Sequence, residues 1–188
     1  MMTKEIEILP ESLTEGTREY FRTVADDTTL YAPGIGPCIG ALFYRKGHLG
    51  LAHFNPGMEA VLDNISHFVK EEMEKQGTGT LRCRLFTGLS FAAREEFQGN
   101  RGIAHYYSLK EKIEEQGILL DEIELSRTYI LANNGPVLII EKLEAKRKED
   151  NLAVKIRYFD KSYEEQEIDI VTGKTKIITP FTGSKYTF

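Results

Sequence analysis

Alternation of apolar and polar positions dominates this chain, and helical spacing is confined to a few stretches. Ile39–Arg45 and His48–Phe54 read as strands joined at Lys46-Gly47, a tight turn in which glycine can take positive φ. Thr80–Phe86 alternates Leu81, Cys83 and Leu85 with Arg82 and Arg84 and reads as a third strand. Further strands are expected at Glu5–Leu9, Leu119–Leu125, Thr128–Ala132, Val137–Leu143, Ala153–Phe159, Glu165–Val171 and Lys174–Ile178. Asn133-Asn134-Gly135 and Thr172-Gly173 supply hairpin turn signals, and the charged run Glu141–Asp150 is expected to cap a hairpin in solvent. The clearest helix is Met58–Gln76, whose Val61, Leu62, Ile65, Phe68, Val69 and Met73 recur at three- and four-residue steps before Gly77. A second helix spans Ala104–Gln116 and stops at Gly117, and a shorter helical stretch is expected near Thr14–Thr23. Layered, mostly antiparallel sheets with two main helices make an α+β fold, here read as one domain over residues 1–188.

Composition removes several classes of function. Hydrophobic residues are 41% and charged residues 28% of the chain, the balance of a folded soluble protein. Lys and Arg number 24 against 29 Asp and Glu, so the basic excess that binds nucleic acid is missing. No apolar run approaches the ~20 residues of a spanning helix, which argues against membrane insertion. The N-terminal residues lack the apolar core of a secretory signal, and two cysteines, Cys38 and Cys83, suit a reducing compartment; a cytoplasmic location is expected. The histidines, His48, His53, His67 and His105, show no metal-ligand spacing, so no metal and no cofactor are expected.

The densest chemistry lies around Cys38. Gly34-Ile35-Gly36-Pro37 turns the backbone sharply before the cysteine, and His53 follows fifteen residues later, after one hairpin. Antiparallel strands lie ~5 Å apart, so a hairpin with Cys38 and His53 at its outer ends brings thiol and imidazole side by side. Such a pair is expected to form thiolate at neutral pH and so to make a nucleophile for acyl or amide chemistry. The other reading is structural: cysteine is among the most buried residue types, and His53 alternates with Leu49 and Leu51 on an apolar face. Cys83 reads as core. His48 reads as an exposed hairpin tip, and Arg82 and Arg84 as a basic face paired with carboxylates.

The stretch GIGPCIGALFYRKGHLGLAHFNPG resembles the signature of the CheD family, the chemoreceptor glutamine deamidases, at Gly34, Gly36, Cys38, Gly50, His53 and Pro56. Met58–Gln76, Thr87-Gly88, Asn100-x-Gly102 and the hairpin Glu167–Lys176 resemble further family features, with an inserted hairpin region around 129–158. The resemblance implies a CheD-like fold and hydrolysis of a glutamine side-chain amide on a protein substrate. It implies Cys38 as nucleophile and His53 as base; the turn at Gly36 and Pro37, read from the sequence alone, is expected to supply backbone N–H groups for the oxyanion. The family's third residue, a threonine six positions before the cysteine, is Ala32 here. Thr28, Thr29 or the Tyr31 hydroxyl could then orient His53. A backbone carbonyl could do so instead, as in the similar cysteine–histidine toxins of the cytotoxic necrotizing factor type. The Ala32 departure also leaves room for a non-catalytic binding protein that retains the fold.

Overall fold

A computed structural model describes residues 4–10, 20–35, 38–54, 69–87, 101–121, 140–158, 161–180 and 182, with side chains at 70 and 101–107 excepted. The described strands are β1 (Glu5–Glu7), β2 (Phe21–Val24), β3 (Thr29–Ile35), β4 (Ile39–Lys46), β5 (His48–Phe54), β6 (Thr78–Thr87), β7 (Leu119–Leu120), β8 (Ile140–Lys148), β9 (Asn151–Tyr158), β10 (Tyr163–Asp169) and β11 (Thr175–Thr179). Helix α1 is Arg101–Glu115, and a π-helical turn covers Lys70–Glu74. The fold is accordingly α+β and mostly strand. No helix among the described residues is long and apolar enough to cross a membrane.

The strands form two mixed sheets. One has the order β1-β3-β8-β9-β10-β11 and the other β2-β5-β4-β6-β7. Pairing is antiparallel except for β1 with β3 and β6 with β7. The β4–β5 hairpin turns at Lys46-Gly47, with Arg45 opposite His48 and Gly47 at φ +87. This hairpin is covered on both faces. Leu42, Tyr44, Leu49 and Leu51 pack with Leu30, Ala32, Leu143 and Val154 between the two sheets. Ala41, Phe43, Ala52 and Phe54 pack on the other side with Met73, Cys83, Leu109 and Ile113, beneath the helices. Cys83 is a fully buried core thiol, as its alternation indicated.

Several boundaries differ from the sequence reading. Phe21–Val24 is a strand where a helical stretch was expected, because its backbone pairs with β5 from Phe21 opposite Ala52 to Val24 opposite Leu49. The charged run Glu141–Asp150 is no solvent cap. Most of it is β8, paired with β3 on one side and β9 on the other, with Leu143 and Ala145 turned inward. The hairpin within 129–158 is thus β8–β9, at the middle of its sheet; residues 129–139 lie outside the described residues, as do most of Met58–Gln76 and the Asn133-Asn134-Gly135 turn. His48 is buried at 2% exposure, not a solvent tip: Arg45 and Gly77 close over it, and a Cβ on Gly77 would lie 3.3 Å from the His48 Cβ.

Candidate active site at the open end of the β4–β5 hairpin

Gly40 pairs with His53, and Ile39 with Phe54. Cys38 stands one residue before β4, at a bend, so the register brings the chain at Cys38 to the His53 end of β5. Cys38 is 9% exposed and His53 1% exposed. No hydrogen bond joins them. The empty side-chain position opposite His53, at Gly40, is roofed by Ile35 and Leu143, whose terminal carbons lie 2.6 and 2.8 Å from where a Cβ would stand.

His53 is held from two directions. Its backbone N–H donates to Tyr20 O at 2.9 Å, and its ring Nδ1 lies 3.4 Å from Ile8 O. A carbonyl oxygen can only accept, so this contact requires the proton on Nδ1. The remaining ring nitrogen, Nε2, is buried and has no hydrogen-bond partner among the described residues.

Burial governs the electrostatics. It pulls the His53 imidazole below its ordinary pKa, with the Ile8 carbonyl working weakly the other way. It pushes the Cys38 thiol above its ordinary value. Both shifts favour neutral groups. The resting pair is thiol and imidazole, not thiolate and imidazolium, and proton transfer has to accompany attack on a substrate.

The three candidate orienting side chains stand elsewhere. Leu30 and Ala32 of β3 face the inter-sheet core, so Thr29 and Tyr31 project from the outer face. The Tyr31 hydroxyl donates to Glu7 at 3.3 Å, and Lys142 Nζ sits 4.2 Å over its ring. Thr29 lines a shallow groove on that outer face with Glu144, Lys146 and Lys155. Thr28 is buried, its N–H donating to Asp26. None of the three bonds to His53; Ala32, which does face inward, has no polar side-chain atom to offer. Gly36 and Pro37, the expected oxyanion turn, lie outside the described residues.

Two further polar clusters are present: the first had no signature in the sequence, and the second bears out the expected pairing of Arg82 with a carboxylate. At the closed end of the hairpin, His48 sits among guanidinium groups of Arg45 and Arg147. Arg45 donates to Met73 O and Gly79 O, and Arg147 to Gly47 O and Ala25 O. The second cluster joins the sheets: Asp121 accepts from Tyr44 and Arg82, while Arg82 and Arg84 bind the β10–β11 turn at Val171 O and Gly173 O. Among the described residues, no group of three or more His, Cys, Asp or Glu side chains is placed to hold a metal ion. Comparison with protein-family models and with curated proteins finds no match to this chain.

Proposed function

We propose that the chain is a cysteine-dependent protein-glutamine deamidase with a CheD-like fold, acting through Cys38, His53 and a thioester. The observation that supports this reading is the hairpin register: Gly40 opposite His53 brings the Cys38 end of β4 to the His53 end of β5, where Nε2 has no hydrogen-bond partner among the described residues. Sulfur attacks the side-chain amide carbon of a glutamine while His53 Nε2 takes the thiol proton. The backbone N–H of Cys38 stabilises the tetrahedral oxyanion. His53 then passes its proton to the departing nitrogen, the C–N bond breaks, and ammonia leaves a thioester on Cys38. Water, deprotonated by His53, cleaves the thioester to glutamate and restores the thiol. The sum is amide plus water giving carboxylate and ammonium, with no redox change.

Its test is the pH dependence of Cys38 alkylation in the native chain and in His53→Ala, with Cys83 as buried control, followed by a mass-shift search for deamidated protein substrates. General-base assistance is worth roughly 100-fold or more, so His53→Ala should slow Cys38 labelling by about that factor near neutral pH. A rate indifferent to His53 removes the deamidase. One observation favours a second reading, a non-catalytic binding protein: the thiol is buried, raised in pKa, and lacks the family threonine because position 32 is alanine. A slow, His53-independent Cys38 is the outcome that reading requires.

A further inference from the structure

His53 takes its ring partner from outside the hairpin that carries it. β1 runs parallel to β3 over only three pairs, Glu5–Thr29, Ile6–Leu30 and Glu7–Tyr31. Thr29 N–H donates to Lys4 O at 2.9 Å and Ile8 N–H to Tyr31 O at 2.8 Å, extending the ladder by one bond at each end. The Tyr31–Glu7 hydrogen bond fastens the outer face. The Ile8 side chain is fully buried between the sheets, and the Ile8 carbonyl is the one described acceptor for His53 Nδ1.

We propose that Ile8 is the positioning residue of the site: through its carbonyl, the N-terminal strand holds the proton of neutral His53 on Nδ1 and leaves the Nε2 lone pair free to take a proton from Cys38. This deepens the deamidase reading and rests on it. A neutral imidazole has one N–H and one lone pair. Moving the proton to Nε2 would bury a donor without an acceptor and set two lone pairs against each other at Ile8 O, so the Nδ1–H tautomer is strongly preferred. The Ile8 contact also raises the basicity of the ring against its burial, the direction a general base needs. Because β1 is a three-residue edge strand, it belongs to the elements that open locally at low cost. The site is competent only while β1 is docked.

The experiment reads the ring directly. Two-bond proton–nitrogen correlation on the uniformly ¹⁵N-labelled full chain, with His53 assigned by the loss of its signals in His53→Ala, should show the Nδ1–H tautomer at neutral pH. An amide-to-ester replacement of the Ile8–Leu9 bond weakens the Ile8 carbonyl as an acceptor and leaves every side chain in place. It should raise the Nε2–H share and lower the His53 titration midpoint by about half a pH unit. Ile8→Val, which keeps the carbonyl and most of the buried side chain, should change neither. Wild-type His53 found as Nε2–H, or an ester variant with unchanged tautomer and midpoint, overturns the proposal. Both readouts report on the imidazole alone, so Cys38 labelling that ignores His53 would sink the deamidase reading while the Ile8 assignment stood.

Discussion

Asp121 supplies a test in which two electrostatic effects of opposite sign compete. The carboxylate follows β7, is 9% exposed, and accepts hydrogen bonds from the Tyr44 hydroxyl and the Arg82 guanidinium. The β10–β11 turn closes over it; a Cβ on Gly173 would lie 2.4 Å from Oδ1. Burial favours the neutral acid, whereas Arg82 favours the anion. Burial prevails and pushes the carboxyl from its ordinary 3.8 up to about 6. The native state therefore keeps a proton over a window in which the unfolded chain has released it. The Asp121 contribution to stability is largest below the ordinary carboxylate pKa, falls as pH rises through the window, and levels off above about 6. A shift of this size corresponds to about 3 kcal/mol across the window.

His48 and His53 act in the opposite sense, so the whole-protein curve mixes both. Asp121→Asn separates them, because asparagine keeps the shape and an acceptor but cannot titrate. Urea unfolding of both proteins at fixed ionic strength, at steps between pH 4 and pH 7.5, yields the difference directly. Wild type minus Asp121→Asn should fall by about 2.4 kcal/mol between pH 4 and the neutral plateau, the rest of the effect lying below pH 4. A flat difference, or one that grows with pH, would mean that Arg82 pairing outweighs burial and the reasoning is wrong.

Three further outcomes are expected. Gly173→Ala should lower the urea midpoint more than Gly79→Ala: both glycines have positive φ, +71 and +84, but only the Gly173 Cβ would meet the Asp121 carboxylate, while that of Gly79 meets nothing within 4 Å. Backbone strain alone costs roughly 1–2 kcal/mol, and the contact should add a similar amount. His48→Leu should leave stability at pH 7 unchanged or higher, since neither ring nitrogen finds a hydrogen-bond partner among the described residues. Burial and the two guanidinium groups hold the His48 pKa below its ordinary 6.5, against a pull from Gly47. Its stabilisation is thus present above 6.5 and lost as pH falls, and His48→Leu should shrink that acid-side loss. Gly40→Ala should cost about 1–3 kcal/mol by pushing Ile35 and Leu143 aside, read as a lower thermal midpoint.

The β4–β5 hairpin was legible because its two apolar runs flank a single Lys-Gly turn, and His48–Phe54 is reproduced to the residue. β8 was read only as far as Leu143, because beyond it Glu144, Lys146, Arg147 and Lys148 leave Ala145 as the one apolar residue of the strand's second half. β3 was obscured by Pro33 and Gly34, ordinarily strand breakers. Pro33 is tolerated because residue alternation turns its missing N–H to the β1 side, where pairing has ended at Tyr31, while β8 pairs on the other side through Lys142. That the Cys38 end of β4 meets the His53 end of β5 followed from hairpin geometry. The electrostatics of the two groups did not, because burial in the folded chain, which no local pattern reports, is what keeps both neutral. The Ile8 carbonyl had no residue-type signature at all: any residue at that position presents the same oxygen.

The hairpin that carries the candidate dyad is enclosed on every side. β4 and β5 are hydrogen-bonded on both edges, to β6 and β2, and buried on both faces. That rigidity suits a site whose groups must hold a fixed separation without a direct bond between them. It also means that a substitution at Gly40 or His53 acts on packing as well as on chemistry. Activity loss in such a variant says little by itself, because a loosened hairpin would produce it too. Discriminating measurements report on one group: the rate at which Cys38 is alkylated, or the nitrogen that holds the His53 proton. If His53→Ala slows Cys38 while its unfolding midpoint stays near wild type, the effect is chemical. If rate and midpoint fall together and a volume-matched His53→Gln restores both, the imidazole serves packing and the hairpin is a core element without a dyad.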